Sequence, residues 1–445
     1  MALLFIDGVG YTDFSRSDYK YLWAHYPFEF GTPYYGARSN FWDPSIGSGP
    51  GWSSGTRSGL IDSGPYPGTY SLHMQSADPI WYESAYMGVG GSTTSTDFIV
   101  GMWLYPINIV GSKTFLVFLG NFAPPNLGQY FVIQVRSDGK IVFSPSPGPN
   151  LNNNAGQFGV LSTFAHWPFP SDGSAPGVSV ANIPINSGPP TPGSARGWTH
   201  MCMQIHFNRG DGFVKLWING CLDIQCSGLD LAPGSNLITP CWASQDGSEL
   251  CVSQFVIQDT SGSQNNSNVS PFAAIQTVFP TSDVLNNWSG GGYSQVNGNP
   301  GPNSSFVSLP SLASPDELFG FPALAASPQV LGVACNMALL APTQQVAGIF
   351  QVPSKATVPI TPNIAPPGAP PGWPSEGVGT TWTRQAISEI NPWTGAPWTI
   401  ADISAAAWGV RGIAGISEQV YQYFLEVLWQ TGPAQCGGGS YLYGQ

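Results

Sequence analysis

The chain has 445 residues, enough for two domains of the usual ~100–200 residues each. Only 9% are charged and the net charge is −12, so a basic face able to track phosphates is excluded and nucleic-acid binding is set aside. The 55 Gly and 42 Pro exclude a mainly helical fold, while 16 Trp, 17 Tyr and 24 Phe favour many short strands joined by turns.

The start MALLFIDGVG has no basic leader and no long apolar run, so no secretory signal is expected. Leu3–Ile6 reads as a strand, and Asp7-Gly8 as its turn. Residues 27–70 are a loop-rich insertion. Trp42 and Trp52 within it, and Trp167 further on, are candidate sugar-stacking platforms; loop packing is the competing reading of the same rings. Strand signals then come at regular spacing over Tyr70–Met74, Phe98–Tyr105, Thr114–Leu119, Tyr130–Val135 and Lys140–Phe143. Ser137-Asp138-Gly139 is a hairpin turn. Residues 144–197 form a second long insertion, read as functional or as an assembly arm.

The clearest pattern runs from Arg196 to Gly220. Met201, Met203, Ile205 and Phe207 alternate with His200, Cys202, Gln204 and His206. After a turn over residues 208–212, Val214, Leu216 and Ile218 alternate with Phe213, Lys215 and Trp217. A period of two over both segments predicts a hairpin with one buried face, which a second layer must cover. Leu250–Ile257 alternates again, and residues 259–268 form a polar linker.

Past residue 269 the pattern restarts. Ile275–Phe279, Gln329–Leu340 and Thr381–Glu389 read as strands, and the alternating Tyr421, Tyr423, Leu425, Val427 and Trp429 place Val420–Trp429 in another. The run 362–374 is polyproline-like chain. Thr399 to Asp402 has the spacing of a capping box that opens a short helix. The fold expected is all-β: an antiparallel jelly-roll sandwich over 1–265, a smaller β-sandwich over 266–431 and a flexible Gly-rich tail over 432–445.

Candidate chemistry is sparse. His200, Cys202 and His206 share one strand face, the best metal-type grouping present, yet strand alternation alone produces it, and no metal is assigned. Asp7, Asp223, Asp230 and Asp259 lie near strand ends, where loop carboxylates suit calcium; solvated turn aspartates are the simpler reading. No GxSxG elbow and no alternating pair of acids for sugar hydrolysis occurs. Asp316 and Glu317 are adjacent and read as turn or surface charges. The seven Cys form no CxxC pair, and reduced thiols are expected. No catalytic residue and no cofactor is expected.

Several stretches, in order, resemble a known family. LLFIDGVGYTDF, DFIVGMWLYP, QYFVIQVRSDGKIVF, WTHMCMQIHF with GFVKLWING, and LCVSQFVIQDTSGSQNN are similar to the concanavalin A-like (laminin G-like) jelly roll of tailed-bacteriophage virion proteins. VFPTSDVLNNWS, YSQVN, DELFGF, LGVACNMALL and INPWTGAPWTIADISAAAWGVRGI resemble the companion β-domain of those proteins, NPWTGAPWT matching its DP-x-TG-x-xWT stretch. The resemblance implies a virion structural protein, made in the host bacterial cytoplasm. A tail fibre or tail protein serving assembly and host attachment is the main expectation. Its partners would be other virion proteins and copies of itself, as a homo-oligomer for which phage fibres suggest a trimer. The alternatives are a carbohydrate-binding module or adhesin on the virion, and a capsid decoration (head fibre) protein. Neither nucleic-acid binding nor membrane insertion is expected.

Overall fold

The structure is a computed structural model. It describes residues 3–8, 59–61, 63–74, 81–82, 97–120, 130–144, 177–206, 208, 211–229, 238–243, 249–260, 264–297, 306–309, 316–324, 329–340, 347–352, 355–359, 363–364, 381–412 and 418–430. The described secondary structure is almost entirely antiparallel strand. Two compact units are present: one gathers Ile46–Phe272, the other Leu3–Ser45 with Ala273–Gly432.

The first strand is β1 (Leu3–Asp7). The first unit contains β2 (Gly59–Ile61), β3 (Ser71–Met74), β4 (Trp81–Tyr82), β5 (Asp97–Ile107), β6 (Ser112–Gly120), β7 (Tyr130–Arg136) and β8 (Ile141–Ser144). It continues with β9 (Thr199–His206), β10 (Gly212–Ile218), β11 (Cys221–Leu229), β12 (Ile238–Ala243) and β13 (Glu249–Gln258). One sheet runs in the order β11-β10-β9-β5-β13-β3-β2 and the other in the order β4-β12-β6-β7-β8. Together they make the jelly-roll sandwich expected from the sequence.

The alternation in β9 and β10 is used as predicted. Met201, Met203, Ile205, Val214, Leu216 and Ile218 are buried. Register confirms that they share a side, since Met203 lies opposite Leu216 and Ile205 opposite Val214. The β5 residues Phe98, Val100 and Met102 continue that face opposite Ile205, Met203 and Met201. Asn219 and Gly220, with φ of 50° and 81°, make the tight turn from β10 into β11. Asn219 also holds the neighbouring strand: its N–H donates to the His200 carbonyl (2.8 Å), and its side chain accepts the His200 N–H (2.9 Å).

In the second unit β14 (Ala273–Val278), β16 (Val307–Ser308), β18 (Gln329–Leu340), β21 (Asn363–Ile364), β22 (Thr381–Ser388) and β24 (Gln419–Gln430) form one sheet. The other sheet runs β15-β17-β23-β19-β20, with β15 at Ser282–Leu285, β17 at Asp316–Gly320, β19 at Ala347–Gln351, β20 at Val358–Pro359 and β23 at Ala407–Arg411. Both sheets feed one core, in which Phe319, Phe350, Trp398, Trp408 and Tyr423 meet the aliphatic side chains of β18 and β24. Helix α1 (Ile400–Ala405) opens on the expected capping box: Thr399 accepts the Asp402 N–H, and the Asp402 carboxylate accepts the Thr399 N–H.

Two expectations need correction. The boundary expected at 265/266 falls instead at Phe272/Ala273, because the intervening residues are fixed to the first sheet. Val269 fills the space beside Gly101, and the Pro271 carbonyl accepts the Tyr66 hydroxyl (2.7 Å). Not all thiols are reduced. Cys221 is disulfide-bonded, whereas Cys202, Cys251 and Cys335 are free thiols. The tail 432–445 and most of the proline-rich run lie outside the described residues.

Candidate functional site

The first sheet has a second face, and most of it is covered. Trp103, Tyr105, Ile107, Trp198 and Cys251 form a small buried cluster there with Tyr66 packed against it. Gly101 lies under Val269, whose N–H donates to the Cys202 sulfur (3.2 Å). The Gln258 side chain donates to the Ser267 carbonyl. The linker 264–272 and the Tyr66 turn are therefore a lid on the middle of this face.

Towards β11 the lid ends and the face opens. Cross-strand register arranges it in rows. His206 lies opposite Phe213, and Phe213 opposite Ser227; Gln204 lies opposite Lys215, and Lys215 opposite Gln225; Trp217 lies opposite Leu222. Gln204, His206, Phe213, Lys215 and Trp217 are half-buried, while Leu222, Gln225 and Ser227 are exposed. Directly paired side chains sit on one side of a sheet, so these residues make one continuous platform.

Two of the rings, those of His206 and Phe213, are held in place. The His206 imidazole stacks on Phe213 with centroids 5.2 Å apart and planes 16° from parallel. Asp97 on β5 contacts His206 Nδ1 at 2.8 Å. The Thr260 hydroxyl donates to the other Asp97 oxygen at 2.9 Å. Lys215 Nζ sits 5.0 Å from the Phe213 centroid, a cation over an aromatic face.

This geometry suits binding better than catalysis. A Ser/Thr nucleophile needs its hydroxyl on the imidazole, and here the hydroxyl of Thr260 donates to Asp97 instead. What the platform offers is flat aromatic surface, two carboxamides and a hydroxyl. Those are the groups that stack on and hydrogen-bond to a polyhydroxylated ring.

The sequence singled out other residues. Trp42, Trp52 and Trp167 lie outside the described residues. The metal-type trio is split by burial: His200 is 2% exposed beside Trp103, and loss of hydration pulls its imidazole down to about 3. Burial pushes the Cys202 thiol up to about 12, far from the thiolate that metals require. Only His206 reaches the open platform. Among the described residues no group of three or more His, Cys, Asp or Glu could hold a metal ion.

Of the calcium candidates, Asp223 accepts the N–H groups of Val180 and Ala181 (2.7 Å each), anchoring the described end of the 144–197 insertion. Asp259 is buried. Asp230 and the Asp7 side chain lie outside the described residues. Glu317 is not the surface charge expected: it is fully buried and accepts the N–H groups of Asn287 (2.7 Å) and Trp288 (2.9 Å). Its neighbour Asp316 points the other way into a two-bond pair with Arg411 (2.6 and 2.7 Å).

No family model and no curated protein matches this chain. Solved structures do. A mutant of the alginate lyase Aly36B in complex with alginate trisaccharide is 14% identical over 46% of this chain and 83% of its own, with a TM-score of 0.24. The CBM40 of the Ruminococcus gnavus IT-sialidase is 10% identical over 39% of this chain and 78% of its own, TM-score 0.21. The Emp46p carbohydrate recognition domain, in its metal-free form, is 10% identical over 46% and 83%, TM-score 0.23. Likenesses of this strength carry no argument about ligand or activity.

Proposed function

We propose that this chain is a non-enzymatic glycan-binding protein, an adhesin-type β-sandwich, and that it works as a structural component of a tailed-phage virion. The observation that carries the first half is the open end of the first sheet. There the half-buried Phe213, Trp217 and Gln204 and the exposed Gln225 form an aromatic and carboxamide platform beside an otherwise covered face. Rigid aromatic surface supplies apolar contact with sugar C–H faces, and the carboxamides supply direction.

The virion half rests on the ordered sequence resemblance alone. It assigns the protein to assembly with other virion proteins and copies of itself, and to contact with host surface polysaccharide.

A glycan array probed with the purified protein tests the first half. Binding to a defined set of glycans that weakens at least tenfold in Trp217→Ala supports it. Absence of binding to any glycan contradicts it. Labelled antibody and electron microscopy on purified particles test the second half.

A further inference from the structure

The platform carries one full cation. Among its described residues Asp97 is already answered by His206 and by the Thr260 hydroxyl. Lys215 has no ion-pair partner among the described residues. Its ammonium is held over Phe213, and its row neighbours Gln204 and Gln225 are neutral. The protein as a whole carries a net charge of −12, so general electrostatics repel anions from it. An unanswered ammonium at the centre of an aromatic platform is thus a local reversal of sign. It is held in position by strand pairing on both sides and by the ring beneath it.

We infer that the β9–β10–β11 face is selective for anionic saccharides, with Lys215 contacting an oxyanion on a sugar ring that lies against Phe213 and Trp217. This deepens the glycan-binding reading and rests on it. The shared chemistry is a carboxylate or sulfate substituent: either accepts hydrogen bonds from an ammonium and either is strengthened by charge. Gln204 and Gln225 flank the ammonium and can donate to the remaining oxygens.

The test is titration calorimetry of the full chain with polygalacturonate, dextran sulfate and neutral dextran. Lys215→Gln, Trp217→Ala and Lys355→Gln are compared with the wild type. Lys355 lies over Trp393 at 4.9 Å in the second unit, so its variant controls for loss of any cation–π lysine. The expected result is at least tenfold tighter binding of one or both anionic polymers than of dextran. Lys215→Gln should remove that preference, Lys355→Gln should keep it, and Trp217→Ala should weaken all binding. Tighter binding of polygalacturonate alone assigns the carboxylate, and of dextran sulfate alone the sulfate. Dextran bound as tightly as the anionic polymers, or a preference that survives Lys215→Gln, overturns the inference while leaving glycan binding in place. Failure to bind any polymer here or any glycan on the array overturns both.

Discussion

The Oε1 atom of Glu426 accepts the backbone N–H of Gly8 at 2.6 Å, joining groups 418 residues apart in the chain. Its other oxygen accepts the Asn336 amide at 3.0 Å. Glu426 is 1% exposed, and burial outweighs these hydrogen bonds, pushing its carboxyl up to about 8. The folded protein therefore holds a proton that the unfolded chain, with an ordinary carboxyl near 4.5, releases. The contribution is fully present below pH 4.5 and is lost as pH rises through about 8. Glu317, raised mainly by burial to about 7, acts with the same sign and finishes earlier. Urea unfolding across this range should show stability falling with pH, and Glu426→Gln should remove the part of the fall between pH 7 and 8. Parallel curves for the two proteins would contradict this account.

Removing the acceptor altogether should be worse than replacing the carboxyl with an amide. Glu426→Ala leaves the Gly8 N–H and the Asn336 amide without their acceptor inside the second unit. The expected cost is about 1–3 kcal/mol, read as a lower urea midpoint at pH 6. An unchanged midpoint would mean water replaces the carboxyl group.

The lid over the first sheet can be tested at Gly101. A methyl group there would lie 2.7 Å from Val269 Cβ, closer than side chains approach. Gly101→Ala should cost about 1–3 kcal/mol and raise amide hydrogen exchange over 264–272. Exchange that stays at the wild-type rate would show that the segment accommodates the methyl group in place.

Met203 is 2% exposed in the inter-sheet layer. Met203→Asp places a carboxylate where nothing can pair with it, and the first unit should lose its cooperative thermal transition. A variant that melts like the wild type would reverse the assignment of inside and outside in β9.

Thr399 caps α1 from an exposed position, so its effect should be small and separable from packing. Thr399→Ala should cost about 1 kcal/mol, and Thr399→Ser much less, in chemical denaturation.

Strands with clean alternation were legible in the sequence because their side chains face two different environments. β9 and β10 show this, as does β24, where Tyr423, Leu425 and Val427 enter the core. β13 conceals its geometry. Leu250 and Val252 share a side with Ile257, opposite Pro106, Leu104 and Val100 respectively, so the inward parity changes from even to odd. The change occurs where the register shifts between Ser253 and Val256, with Gln254 at φ 56°. β11 and β23 were missed because small and polar residues in Cys221–Leu229 and Ala407–Arg411 mute the pattern. The platform was half legible. Phe213, Lys215 and Trp217 were placed opposite the core face, but the lid that leaves only their end uncovered is a tertiary feature. The sequence directed attention to loop tryptophans instead.

The most direct test of the central claim is hydroxyl-radical footprinting of the full chain with and without a saturating glycan chosen from the array. The account predicts that oxidation of Phe213, Trp217 and Leu222 falls together on binding, while Trp393 in the second unit is unchanged. Protection confined to Trp42, Trp52 or Trp167, with the β9–β10–β11 face as reactive as before, would contradict it.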